Sequence, residues 1–487
     1  MRAIGPVRLA MLAGAIMLSS AATAAAPTLG PAIPGRIVIL KQGFDKLPAG
    51  YVAEEHFLTG TAKSWRFAKG ESAPRGKIEQ SGEAPFTTRL IIARPTDPKK
   101  FNGTVLVEWL NVTTGADASG DWSSMRRELV RGGYAYVGVS AQEVAIDGKG
   151  WASPKSPPLK QVDPARYAAL QHPGDQYSYD IFSQAGALVR SQTRALLGPL
   201  QPKRVLAAGQ SQSAFLLTTY ANSIDPVARV YDGFLIHSRF RWARGIDAGW
   251  HGPTTAAEEA ASVGDRFRRD LRVPVLNFIT ETDLMIENGY LPARQPDETR
   301  LRTWEVAGTA HADNYSVAGA LDDGHADPAT LASIYAPKSV VLGQQLAKPV
   351  NAAPQHHYVL EAALVTLDRW VATGRAPASK SPIAVSKDKP PKLILDGEGN
   401  ATGGIRSPWL DVPLMRLSGS ASTSDGLGIY FGSSEPFDRQ TLARLYPGGK
   451  PDYLSRFTPA LDAAIARGDI LRADRPEILA MAAAMYP

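Results

Sequence analysis

Ser211 stands between two glutamines in LAAGQSQSAF, residues 206–215, where an apolar run narrows to Gly209 just before the hydroxyl. A serine hydroxyl is a poor nucleophile. To attack a carbonyl it needs a base to take its proton, a carboxylate to orient that base, and donors to hold the oxyanion. The sequence offers such groups in the order Ser, acid, His, each just past a strand-like run. Ser211 follows RVLAAG, Glu281 and Asp283 follow VPVLNFIT, and His311 follows RTWEVAGTA. That order is the one used by serine hydrolases built on an open α/β sheet. The turn that exposes such a serine needs slim neighbours. Gly209 meets this on one side; on the other Ser213 stands where glycine is usual, which weakens the GxSxG pattern without breaking it.

Of the two carboxylates, Asp283 lies at the distance past its strand from which an acid reaches a histidine, and is the favoured orienter. Glu281 is the alternative acid, its plainer role a hydrogen bond within its own loop. His311 is the histidine that follows the last strand-like run among small residues. His237, closing GFLIH, is the runner-up base and is more simply a buried or pocket-lining residue. His56, His172, His251 and His325 read as loop residues, and His356 and His357 as a helix start. The expected oxyanion donors are the Gln212 N–H and the turn after TVLVEW, at Leu110 and Asn111. Trp109 and His237 are expected to line the substrate pocket, with Trp122 a further wall, although tryptophan in such places is more often core. DDGHAD (322–327) lacks a ligand spacing, so no metal is expected. No phosphate loop, dinucleotide fingerprint or flavin motif is present, so no cofactor is expected either.

The elements that must position these residues follow an α/β rhythm. TVLVEWL, YAYVGVS, RVLAAG, YDGFLIHS and VPVLNFIT read as strands; residues 123–133, 179–196 and 213–224 have helical spacing between them. Continuous apolar runs separated by helices imply a mostly parallel sheet with helices on both faces, doubly wound. Residues 141–176 and 239–270 are long connections of the kind that form lids or substrate walls, with Trp242, Trp250 and His251 the residues most suited to face a substrate. QHHYVLEAALVTLDRWVATG (355–374) places one apolar stripe on a helix that stops at Gly374.

Residues 1–26 read as a secretory signal peptide: Arg2 and Arg8 flank the start, Leu9–Leu18 is apolar, and SSAATAAA offers cleavage sites. The apolar stretch is short for a membrane anchor, and no later run is long enough to span a bilayer. The chain is therefore expected to be exported, periplasmic or secreted. Without Arg2 and Arg8, 53 basic residues become 51 against 47 acidic ones, a balance of +4, too mild to suggest a nucleic-acid partner. The absence of cysteine excludes thiol nucleophiles and thiolate metal sites, and leaves an exported chain to be held by its core alone. Residues 27–375 are expected to form the catalytic domain, and 376–487, opening on the Lys-, Pro- and Ser-rich RAPASKSPIAVSKDKPPK, a C-terminal extension packed on the same globule.

FNGTVLVEWLNV, QYSYDIFSQA, AAGQSQSA, FLIHSR, ETDL, LPARQPDETRLRTWEVAGTAHADNY and GNATGGIRSPWLDVP resemble the family named only as alpha/beta hydrolase domain-containing proteins, over nearly the whole chain after the leader. The resemblance implies an α/β-hydrolase fold and a triad falling on Ser211, Asp283 or Glu281, and His311. It leaves the substrate open. The expected activity is cleavage of a small carboxylic ester through an acyl-enzyme. Peptidase or amidase chemistry on the same triad is one alternative and a non-catalytic binding protein on this fold is another.

Overall fold

The computed structural model describes residues 26–487, apart from 41–43, 45–46, 150–155, 250–263, 318–326, 342 and 421–425. The expected signal peptide, Trp250, His251, His325 and most of DDGHAD fall outside the described residues. Among those described, no helix is long and apolar enough to cross a membrane.

A nine-stranded sheet in the order β1-β2-β3-β5-β4-β6-β7-β8-β9 organises the chain. β4 (Thr104–Trp109), β5 (Ala135–Val139), β6 (Arg204–Gln210), β7 (Gly233–His237), β8 (Val275–Thr280) and β9 (Leu301–Val306) are parallel. Every residue of β4, β5, β7 and β8 is buried. Helices cover both faces, which is why these strands are continuous apolar runs and not alternating ones. Leu106, Tyr136, Leu206, Leu235 and Leu276 face one layer, with α1 (Gly120–Arg131) and residues such as Leu360, Ala363 and Leu364. Val105, Val107, Val205, Phe234, Ile236 and Val275 face the other, with α2 (Ser178–Ser191) and α3 (Gln212–Thr219).

The antiparallel edge is the part the hydropathy pattern does not announce. β1 (Thr28–Ala32), β2 (Tyr51–Phe67) and β3 (Ile78–Pro95) join β5 through Leu90–Ala93 alone, so most of the β2–β3 ladder projects beyond the sheet. This arm packs on α2: the Lys63 N–H donates to Asp180 Oδ2 (2.9 Å) and Gln184 Nε2 donates to Thr61 O (2.7 Å). Much of it is half-exposed and polar, and only Leu90–Ala93 of β3, the part that joins β5, reads as the apolar run of a buried strand.

α4 (Glu281–Met285) is a single turn after β8; α5 (Gln355–Thr373) ends on Gly374 in the left-handed region, φ 70°. The chain beyond 376 returns to the sheet: Ile405 bridges Val306, and the Ile383 N–H donates to the buried Glu305 (2.8 Å). Trp409, Phe457, Leu461 and Met481, carried by this segment and its helices α6 (Lys450–Ala466) and α7 (Arg475–Met485), share one apolar cluster with Leu206, Leu276 and Leu364.

Candidate active site

The parallel strands end in register, Glu108 beside Ala208, Gln210 beside His237 and Thr280 beside Val306, so whatever follows each strand meets along one edge. Ser211 follows β6 at φ 60°, ψ −120°, a conformation that costs a non-glycine residue on the order of 1–3 kcal/mol. Its N–H donates to His237 O (2.9 Å), and α3 begins at once behind it. The turn is as tight as the sequence implies. A Cβ on Gly209 would lie 2.9 Å from Leu217 Cδ1 and 3.0 Å from Ser213 Cβ, so a larger residue there would have to push these side chains aside, while Ser213, fully buried, fits.

His311, on the loop after β9, brings Nε2 to 2.8 Å from Ser211 Oγ and Nδ1 to 2.5 Å from Asp283 Oδ1. Asp283 is the third residue of α4, and its second oxygen accepts the Thr280 N–H (2.8 Å) while Thr280 Oγ1 accepts the Asp283 N–H (3.2 Å). This capping box fixes the carboxylate on the helix start. Burial alone would push the Asp283 carboxyl up. The imidazole of His311 and the Thr280 donors outweigh it and hold the group below the usual carboxylate range.

Glu281, two residues earlier, points elsewhere. Its oxygens accept the N–H groups of Gly308 (2.8 Å) and Gly419 (2.7 Å), and burial raises it above the ordinary range against the pull of these amides. It thereby ties the His311 loop to the chain beyond 376. A Cβ on Gly419 would sit 2.4 Å from Thr282 N, so only glycine lets that segment approach α4. Asn351 adds a second tie, donating to both Gly308 O and Ser418 O at 3.0 Å.

Several expected site residues are placed differently. Asn111 spends its backbone N–H on Ala118 O (2.9 Å), and its side-chain amide donates to Gln210 O (3.0 Å). Gln212 is the first residue of α3, and first-turn N–H groups have no partner within their helix. Trp109 is fully buried against Tyr179 and Phe182, and is core and not pocket wall. Trp122 is likewise buried, stacked on Phe44. Trp242 is buried beneath the Arg241 guanidinium. His237 is 1% exposed and does not line a pocket: Nδ1 meets Asp121 Oδ1 (2.8 Å) and Nε2 meets His356 Nε2 (3.0 Å). His356 in turn holds Asp313 (3.0 Å). His56 and His172 are buried as well, each on a backbone carbonyl.

Three side chains at the site escaped the sequence reading. Phe240 and Tyr430 are half-buried beside His311, and Phe215, also half-buried, packs on Phe240. Phe215, four residues past the nucleophile on α3, carried a usable signal, since that spacing stacks it one turn along. Phe240 and Tyr430 carried none.

A hydroxyl, an imidazole and a carboxylate in line at the carboxyl edge of a mostly parallel sheet, with the hydroxyl on a left-handed turn, are the arrangement of an α/β hydrolase. The chain belongs to the alpha/beta hydrolase domain family, whose model matches residues 20–480. No protein of curated function matches the sequence. Among solved structures it is similar to esterase Est22, at 13% identity and a TM-score of 0.26, with 48% of this chain covering 64% of that one. It thus spans just under two thirds of that structure's length. It is also similar to a fungal esterase from Rhizomucor miehei (13% identity, TM-score 0.31, 65% of this chain and 85% of that one) and to a carboxylesterase from Lactobacillus plantarum (13%, 0.26, 47% and 75%). Likenesses this remote say nothing about substrate.

Proposed function

We propose that the chain is an exported serine hydrolase that cleaves small carboxylic esters. The observation that carries this reading is the line Asp283 Oδ1, His311 Nδ1, His311 Nε2, Ser211 Oγ, with contacts of 2.5 and 2.8 Å and the serine on a strained turn. Ser211 Oγ bonds to the ester carbonyl carbon as its proton passes to His311 Nε2. The carbonyl oxygen becomes an oxyanion facing the Gln212 N–H. The carbon–oxygen bond to the alcohol then breaks, and His311 gives the alcohol the proton. Water, deprotonated by the same nitrogen, attacks the acyl carbon; the bond to Ser211 Oγ breaks, His311 returns the proton to that oxygen, and the acid is released. Asp283 keeps Nδ1 protonated and the ring aligned throughout.

Esters are favoured over peptides because the described residues before β6 go to the sheet, its arm and the helices beside them, with no propeller or repeat among them to enclose a peptide. Export is inferred from the Arg2, Arg8, Leu9–Leu18 and SSAATAAA pattern. A fluorophosphonate probe tests the reaction: it should label the wild type and fail to label Ser211→Ala. Well-folded wild type that stays unlabelled, and inert toward a panel of short esters, would favour a binding protein instead.

A further inference from the structure

Apolar rings left half-open beside a nucleophile need a reason, because contact with water wastes most of their burial energy. Phe215 follows Ser211 by one helical turn, its N–H donating to Ser211 O (3.3 Å), and its ring centroid is 5.4 Å from that of Phe240. Phe240 is 5.3 Å from the His311 ring and 6.2 Å from Tyr430, the two phenyl planes within 13° of parallel. Tyr430 lies 5.1 Å from His311.

These rings are fixed in place. Ser238, at φ 61°, turns the chain after β7, and the segment it starts is tied to α3 by the Arg244 N–H, which donates to Phe215 O (3.3 Å). Arg239, fully buried, donates to the carbonyls of Phe240 (2.9 Å), Arg241 (3.2 Å) and Asp265 (2.5 Å), with its guanidinium between the rings of Phe267 and Tyr290. Tyr430 is held through its carbonyl, which accepts the Ala312 N–H (3.0 Å).

Which half of an ester they face follows from proton transfer. His311 must hand its proton to the departing alcohol, so the alcohol leaves past Nε2, and rings packed on that imidazole line the alcohol side. We propose that Phe240 and Tyr430, with Phe215 beside them, form an alcohol-side subsite selective for esters of aryl and arylmethyl alcohols; this rests on the hydrolytic reading above. Phe240 and Tyr430 are too close for a third ring to slide between them. The substrate's ring lies against their open edges in the tilted geometry aromatic groups favour. Tyr430, from the chain beyond 376, makes that segment part of the specificity.

The test uses 2-naphthylmethanol, the alcohol such an ester would release, titrated into wild type, Tyr430→Ala, Phe240→Ala and Tyr430→Phe and followed by naphthyl fluorescence. Loss of one aromatic partner should weaken binding about three- to tenfold, and Tyr430→Phe, which keeps the ring, should restore it. In parallel, the ratio of kcat/KM for 2-naphthylmethyl acetate to that for n-butyl acetate should fall in both alanine variants, chiefly through KM. Equal binding to wild type and to both alanine variants, each folded by circular dichroism, would overturn the subsite. A protein that cleaves esters and labels at Ser211 but binds without regard to the rings would sink the subsite alone, whereas ring-dependent binding in a protein that neither turns over esters nor labels at Ser211 would leave an aromatic-binding pocket and overturn both the hydrolytic reading and the alcohol-side assignment.

Discussion

Of the three carboxylate–imidazole pairs among the described residues, Asp283–His311 and Asp121–His237 make the sharpest comparison, because only in the first does the far imidazole nitrogen meet a hydroxyl. In the first, Asp283 holds His311, whose far nitrogen meets the half-buried hydroxyl of Ser211. In the second, Asp121 holds His237 in the same way, but the far nitrogen meets His356, which is itself held by Asp313. Both imidazoles are oriented by an acid. The difference is what stands beyond the second nitrogen and whether solvent or substrate can reach it. A histidine at a strand end beside a carboxylate is thus not enough to mark a base; the second pair links β7, α1, α5 and the His311 loop, and its chemistry is cohesion.

The comparison breaks most directly at Ser211 and His311. Ser211→Ala and His311→Ala are each expected to lower kcat/KM on a p-nitrophenyl ester by a factor on the order of 10⁴ or more, measured against wild type of equal thermal stability. If His237→Gln matched that loss in folded protein, the assignment of the two pairs would be reversed. Asp283→Asn should cost roughly 10³–10⁴ in kcat, because the imidazole loses the partner that fixes its tautomer. Glu281→Gln should leave activity within about tenfold and instead lower stability by about 1–3 kcal/mol, read by urea denaturation, since it disturbs buried hydrogen bonds to Gly308 and Gly419. For His237→Gln the expected activity change is also within about tenfold, with a stability loss of about 2–4 kcal/mol from the disturbed buried pair.

The smallest effect is in pH. The Asp283 carboxyl is depressed in the folded protein, so the stability it contributes is fully present above the unfolded value of about 3.9 and is lost as pH falls through the lower folded value. The stability gap between wild type and Asp283→Asn should therefore stay level from neutral pH to about 4 and close only below that. A gap that closed between pH 7 and 5 would contradict the depression.

How much of this could be read from the sequence depends on how each residue is held. The parallel strands and the Ser, Asp, His order were legible because a strand buried on both faces must be an apolar run, and its end must be where polar chemistry begins. Choosing Asp283 over Glu281 followed from distance past the strand, whereas Glu281's bonds to Gly308 and Gly419 needed the fold, because the second partner is remote in the chain. The β2–β3 arm was silent because its faces are half-exposed and polar. Asn111 was misread as a donor since nothing local reveals that its N–H is spent on Ala118. Trp109 and His237 illustrate a related error: position at a strand end says where a residue is, not which face of the sheet its side chain enters. Tyr430 was beyond reach, because only long-range packing brings it to His311.

Glu281 finds its two amides 27 and 138 residues further along the chain, and Glu477 on α7 accepts from Tyr358 on α5 (2.5 Å). A polypeptide leaving the ribosome therefore presents its Ser211 hydroxyl long before it has made the segment that steadies the loop bearing its base. The loop bearing His311 is thus steadied only once the chain beyond 376 is in place, so a chain cut before Gly419 would lack one of the two amides that hold Glu281.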